Sequence, residues 1–489
     1  MSGLSGLLPR CAPGAAGVSA RGVLRLLDGL EGRGVECHSV MVVRGGRVVV
    51  EGWWAPYSAE RGHLLYSLTK SFTSAAVGIA VGDGLLSLED RVVDVLPESV
   101  PEGISEQGRR LNVHHLLTMT TGHGVDSLDG AWQAEPGDLA KGFLRGPFVE
   151  DEGTRHVYDN STTFVLARMV ERVTGVGLPE FLQERVFGPM GIEGAEWDRV
   201  ASGAAFGFHG LHLTTEAIAA FGELLLRGGR WGDRQLVPRE WVELATRPHV
   251  ETLPLPGWSQ NPDFLGGYGY QFWISRHGYH GHGSYGQYCV VVPKHDLVVV
   301  VTGAIQQEGA LPGLLWECLL PGLDEPGNAE DEEILAGRLR QLSFAPAAGS
   351  AAPAGAGAAA PGRSGTADPG SVVARVDGSA EGSALADGTV VGVEPVSGGW
   401  RVRLGESVEV EVGYGEWRES SPLGRPAVAS GAWQGDRFVA DLFVITSPHR
   451  VRLEVNADAA TATWNVVPLT TPDLELHLRT PLMTRPDVA

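Results

Sequence analysis

The sequence predicts an α+β domain followed by a separate all-β domain. Strand signals stand at both ends of the first two thirds of the chain with a long run of helical signals between them, the pattern of an antiparallel sheet that takes strands from both ends of a domain. After a stretch near 345–370 dominated by Ala, Pro, Gly and Ser, helical periodicity gives way to short alternating runs separated by frequent turns, which suggests an antiparallel barrel or sandwich.

Taken in order, a short helix over 22–29 precedes a hairpin of strands 38–43 and 47–53 turned at Arg44-Gly45-Gly46. From Ser67 to Gly82 the pattern is helical, with Phe72, Ala75, Ala76 and Ile79 on one face and Gly82-Asp83-Gly84 as the stop, so Ser67 falls at or just before a helix N-terminus. Further helices are predicted over 113–119, 137–145, 162–174, 178–187, 214–227 and 238–247, each bounded by Gly or Pro signals. Strands return at 269–275, 287–292 and 297–303, the last two joined by the turn Pro293-Lys294-His295-Asp296, and a helix over 311–320 closes the domain. Eight short strands come after it at 372–376, 389–396, 400–404, 407–412, 427–433, 437–445, 449–455 and 460–466. A chain of 489 residues exceeds what one core organises, and the expected division is a domain over 1–340, a flexible linker over 345–370 and a β-rich accessory domain over 371–489. The linker composition cannot bury enough apolar surface to offset the entropy of ordering it.

Composition excludes several functions. The formal net charge of -21 opposes a phosphate backbone, and no Lys/Arg-rich run offsets it, so no nucleic-acid partner is expected. Cys11, Cys37, Cys289 and Cys318 stand far apart without C-x-x-C spacing, which reads as free, buried thiols and not as a zinc or disulfide framework. No segment reaches 18 uninterrupted apolar residues and residues 1–20 lack a continuous apolar core, so the expectation is a cytoplasmic protein without a membrane partner. No cofactor and no metal are called for, and oligomeric state has no signal in the sequence.

Three constellations carry chemistry. The first is Ser67-Leu68-Thr69-Lys70, a Ser-x-x-Lys at the start of a helix, where a spacing of three puts the lysine amine one turn away on the face of the serine. Serine needs an adjacent base to act as a nucleophile, and a helix N-terminus with the Ser67 amide favours a developing oxyanion. The spacing alone is common in solvated helices. Lys70, Lys141 and Lys294 are however the only lysines in a chain that otherwise uses arginine for positive charge, and a guanidinium cannot act as a base whereas a desolvated amine can. The second is Tyr158-Asp159-Asn160, in which a phenol beside an ammonium can share in proton transfer and Asn160 offers an amide to the lysine or to a substrate carbonyl. The blander account is that Asn160 or Ser161 caps the helix while Tyr158 packs in the core. The third is the glycine-rich run from Tyr279 to Gln287, whose glycines would let the chain lie against the Ser67 helix so that the Ser284 amide supplies a second oxyanion donor; a solvated turn is the alternative. His277, His280 and His282 lack the carboxylate pattern of a metal site.

Ser-x-x-Lys, then Tyr-x-Asn about ninety residues on, then a glycine-rich strand motif, in that order, resembles the serine β-lactamase and penicillin-binding-protein superfamily in its class C-like form. The wording SLTKSFTS from Ser67, GLLSLED from Gly84, LLTMTTG from Leu116 and Gly286-Gln287 is most similar to the branch of esterases and 6-aminohexanoate-dimer (nylon-oligomer) hydrolases. The resemblance covers roughly 20–325 and implies a β-lactamase/transpeptidase-like fold, an antiparallel sheet flanked by helices with a separate helical lobe. It further implies that Ser67 is acylated, that Lys70 and Tyr158 share base and acid duties as a coupled pair, and that the Ser67 and Ser284 amides form the oxyanion hole; Asn160, His282 and Gly283 are the further candidates for substrate or oxyanion contacts.

One position departs from that pattern. Aligning Gly283-Ser284 with the end of the Lys-Thr-Gly motif puts Gly281 where the lysine that helps bind a substrate carboxylate sits, and His282 where the threonine sits, pointing toward the cleft by strand parity with Ser284. The expected substrate is therefore a small neutral ester or amide. A transacylase or peptide cyclase using the same acyl-enzyme, and a non-catalytic acyl-binding sensor, are the alternatives.

Overall fold

Two valine runs buried on both faces form the centre of the sheet. The computed structural model describes residues 6–200, 203–254, 261–307, 309–325, 327–354, 371–379 and 381–480. Its first sheet contains β1 (Cys37–Arg44), β2 (Arg47–Trp53), β3 (Trp273–Ser275), β4 (Gly278–Gly283), β5 (Gln287–Val292) and β6 (Leu297–Gly303), in the antiparallel order β2-β1-β6-β5-β4-β3. Every residue of β5 and β6 is buried, as expected where helices cover both faces and the strand reads as a continuous apolar run. The turn between them closes with Asp296 at φ 50°, a conformation aspartate tolerates better than most residues.

Four helices support the sheet and the candidate site: α1 (Ala20–Gly32), α2 (Thr69–Gly82), α3 (Asn160–Thr174) and α4 (Thr215–Leu226). Helix α4 lies so close to the sheet at Gly222 that a Cβ there would stand 2.5 Å from Val298 Cγ1. Helix α2 is buried from Thr69 through Ala80, with Phe72 stacked at 3.9 Å between ring centroids on Phe221 of α4. A helix buried on every side is a core element, which explains why its one-face apolar pattern understates its burial.

The run expected as a strand over 269–275 is shortened to β3 because Gln271 sits at φ 67° and breaks the extension. The buried Gln271 side chain instead accepts from Thr163 Oγ1 at 2.7 Å and donates to the Leu117 carbonyl at 2.9 Å. The helix Ala329–Arg340, capped by the Asn328 carboxamide, has only Leu335 fully buried, and that weak periodicity hides it from the sequence.

The chain divides into two units: the second begins at Leu342, two residues past the expected end of the first at 340, and also takes Trp54–Ser58. Within that unit the Ala55 amide donates to the Leu342 carbonyl at 3.1 Å and the Phe344 amide to the Ala55 carbonyl at 2.7 Å, while Tyr57 packs on Phe344 and Phe443. The first part of the expected linker is not free either. Ser350 forms a two-way backbone bridge with Trp433, and the Ala347 amide donates to Ser430 Oγ, so the backbone of this Ala-rich segment meets its hydrogen bonds on a strand. Residues 355–370 lie outside the described residues.

The rest of the unit is a nearly closed β-barrel of nine strands: Val372–Arg375, Val390–Val396, Gly399–Leu404, Val408–Gly413, Arg418–Ser420, Ala427–Gln434, Arg437–Val444, Arg450–Val455 and Ala460–Trp464. Alternate residues point into a core containing Val393, Trp400, Val402, Val410 and Phe438. The two ends of the sheet meet where the Asp377 amide donates to the Ala460 carbonyl. Among the described residues no helix is long and apolar enough to cross a membrane, and no cluster of three or more His, Cys, Asp or Glu is placed to hold a metal. The four cysteines form no disulfide; Cys37 and Cys289 are buried, whereas Cys11 and Cys318, expected to be buried, are only half-buried.

Candidate active site

The turn before α2 is strained in a way that presents one hydroxyl. Tyr66–Leu68 form a short 3-10 turn, and Tyr66 holds φ 47°, a conformation that costs a non-glycine residue energy and is retained only where surrounding packing enforces it. The Tyr66 ring is buried between His209 at 5.0 Å and Tyr285 at 5.5 Å. Ser67, the next residue, is half-buried at the head of the helix.

Lys70 is 1 % exposed and its amine is surrounded by acceptors: Ser67 Oγ at 2.8 Å, Asn160 Oδ1 at 2.7 Å and the Phe208 carbonyl at 3.3 Å. The nitrogen also lies 4.8 Å from the centroid of the Tyr158 ring. Burial dominates its titration and pulls the amine down to about 7, against the opposing charges of Asp126 and Asp159. An amine poised near neutrality beside a serine hydroxyl can take that hydroxyl's proton and return it.

Helix α3 positions the other groups. Asp159, not Asn160 or Ser161, is the N-cap, accepting from the Ser161 amide at 2.9 Å; the Asn160 side chain is thereby left to face Lys70. Asp159 is buried, and desolvation followed by the neighbouring Asp126 pushes its carboxyl well above the usual range. Tyr158 is half-buried, its ring stacked on Trp273 at 5.6 Å and 10°.

The glycine-rich run forms β4, and its approach to the serine turn demands glycine. A Cβ at Gly283 would lie 2.0 Å from the Leu65 carbonyl oxygen. Gly283 pairs with Gln287 across the hairpin, so Ser284 is the first residue of the link, with its carbonyl accepting from Gln287 Nε2 at 3.1 Å. Tyr285 at φ 64° then sets its ring against Tyr66. The structure thus brings Ser67, Lys70, Tyr158 and Asn160 together, with Gly283 and Ser284 beside the serine turn.

His282 is buried on β4. It lies on the face of β4 opposite Gly281 and Gly283, 3 % exposed, its ring packed on Tyr288 at 4.5 Å and Phe264 at 5.2 Å. Phe264 and then Trp273 link it to Tyr158, because β4 turns its glycine side toward α2. A Cβ at Gly281 would meet Leu68 Cδ1 at 2.3 Å and Ser71 Oγ at 2.7 Å, so this position faces packed helix.

Sequence reasoning missed Asp126, which accepts from the Asn160 amide at 3.1 Å and from its Nδ2 at 2.6 Å. A lone aspartate in a loop carries no signal of its own. Asp159 was within reach, as the middle residue of a motif just before a helix.

The Beta-lactamase family model matches residues 25–311. A 6-aminohexanoate-dimer hydrolase of Paenarthrobacter ureafaciens is 28 % identical over 289 residues, 53 % of this chain and 70 % of that protein. A lovastatin esterase of Penicillium rubens is 29 % identical over 175 residues, 31 % of this chain and 44 % of that protein. Among solved structures, EstCE1, a hydrolase with promiscuous acyltransferase activity, superposes with a TM-score of 0.50 at 17 % identity, covering 61 % of this chain and 98 % of that one, a likeness of fold.

Proposed function

The chain belongs to the Beta-lactamase family, and on that premise we propose that it hydrolyses a small neutral ester or amide through an acyl-enzyme on Ser67. The observation that carries the reading is the buried Lys70 amine, brought down to about 7 and bonded to Ser67 Oγ at 2.8 Å. Ser67 Oγ attacks the substrate carbonyl while its proton passes to the Lys70 and Tyr158 pair. The oxyanion forms against the Ser67 and Ser284 amides, and the pair returns the proton to the leaving alcohol or amine. Water then attacks the acyl-serine by the same exchange, releasing the acid and restoring the serine.

The relatives named for a dimer hydrolase and for an esterase support amide and ester cleavage as the reaction class. Gly281 offers no cation to a substrate carboxylate, which favours a neutral substrate.

A fluorophosphonate probe followed by peptide mapping tests the assignment: label on Ser67 is expected, and its absence would leave only an acyl-binding protein. A panel of p-nitrophenyl esters, small amides and nitrocefin, run on wild type and Ser67→Ala with and without an added amine acceptor, then identifies the acyl group and separates hydrolysis from transfer.

A further inference from the structure

Asp126 is exposed, yet both of its carboxylate oxygens are engaged with one residue of the site. Oδ1 accepts from the Asn160 backbone amide at 3.1 Å and Oδ2 from Asn160 Nδ2 at 2.6 Å, while Oδ1 also accepts from the Leu128 amide at 3.1 Å and so stiffens its own loop. The next residue repeats the connection, with Ser127 donating its amide and its hydroxyl to Asp159 Oδ1. A carboxylate accepts only, so it fixes which end of the Asn160 carboxamide faces it: nitrogen toward Asp126, oxygen toward Lys70 Nζ.

We propose that Asp126 is a positioning residue of the active site, turning the Asn160 oxygen onto Lys70 and supplying the negative charge that favours the protonated form of that amine. The inference rests on the reading of Lys70 as the base. Among the described residues, the titratable groups facing Lys70 are few. Tyr158 and Asp159 approach from the start of α3, Asp126 from the loop before it, and His209 stands beside the Phe208 carbonyl; Ser67 and Tyr66 belong to its own turn. Of the two carboxyls, Asp159 is buried and Asp126 is exposed, and an exposed carboxylate is the less costly one to keep charged. The charge of Asp126 also raises the Lys70 amine against its burial.

The lysine content gives a direct test. With only Lys70, Lys141 and Lys294 in the chain, protein labelled with 13Cε-lysine gives three signals, and Lys70→Arg identifies the one from Lys70. Titrating wild type, Asp126→Asn, Asp126→Ala and Asp126→Glu reads the amine without any substrate, and unchanged Lys141 and Lys294 signals report an intact fold. The Lys70 midpoint is expected near 7 in wild type, lower by about half a pH unit or more in the Asn and Ala variants, since a unit charge at this range is worth that much even with strong screening. It should return toward the wild-type value in the Glu variant. Coincident midpoints in wild type, Asp126→Asn and Asp126→Ala would overturn the proposal. Fluorophosphonate labelling of wild type tests the parent reading separately: unlabelled Ser67 with a moving Lys70 midpoint would defeat the hydrolase and keep Asp126 in this role.

Discussion

At the scale of single residues, the site depends on a serine hydroxyl and one amine whose charge is marginal. Ser67→Ala removes the nucleophile and no packing, so turnover is expected to fall to background while the thermal transition stays in place; esterase activity in a folded variant would place the chemistry elsewhere. Lys70→Arg should be nearly as damaging as Lys70→Ala, on the order of 10²–10⁴ in kcat/KM, because a guanidinium keeps the charge but transfers no proton. Near wild-type kcat/KM in the arginine variant would show that only charge is needed. Since Lys70 must be neutral to accept the serine proton and its amine is drawn down to about 7, kcat/KM should rise with pH to a plateau through a limb near 7. These residues were legible in the sequence because the lysine is rare and its spacing from the serine is fixed. Asp126 was not, since its importance comes from where a loop brings it.

At the scale of elements, the site is made by three close approaches: β4 to the serine turn, α3 to α2, and the 124–127 loop to the head of α3. The glycine motif signalled the first, and the structure supplies its reason in the 2.0 Å that a Cβ at Gly283 would leave to the Leu65 carbonyl. Gly283→Ala should therefore force strand and turn apart, costing about 1–3 kcal/mol in stability and, by moving the oxyanion donors, on the order of 10² in kcat/KM. Unaltered kinetics in that variant would mean the strand does not position the reacting groups. The same geometry answers a question the sequence left open at Gly281. A lysine there would start 2.3 Å from Leu68 Cδ1, so Gly281→Lys is expected to lower stability without creating affinity for carboxylate substrates, as inhibition by carboxylate product analogues would report. What escaped the sequence at this scale is conformational: Gln271 ends a strand by adopting positive φ and ties α3 to the 113–118 helix, and nothing in its neighbours marks it for that role.

At the scale of the whole molecule, composition marks two regions, but it does not show that a five-residue segment, Trp54–Ser58, leaves the N-terminal hairpin to join the second unit. So short a segment gives no compositional signal, and the Ala-rich segment before 355 looks free although its backbone is paired with a strand. The first unit carries a further property that no motif announces, a set of buried imidazoles. Desolvation, its leading cause in each, holds His63 well below its ordinary value, His123 and His156 at about 4 and His280 at about 3. In the unfolded chain each titrates near 6.5, so between 6.5 and about 4 the unfolded state binds protons that the folded state refuses. Stability from these groups is then full above 6.5 and falls as pH drops, by on the order of 2 kcal/mol for each of His123, His156 and His280 at pH 5. Burial raises Asp159, Glu171 and Glu223, and these oppose the trend, since the folded state protonates them first as pH falls. Hydrogen exchange in peptides spanning Thr118–Asp159 should accelerate between pH 6.5 and 5 after correction for intrinsic rates, whereas exchange governed only by intrinsic chemistry would remove the imidazoles from the account. This acid loss is separable from the kinetic limb near 7: the limb should reverse at once on returning the enzyme to pH 8, while time spent below pH 5 should cost activity that returns only at the rate of refolding.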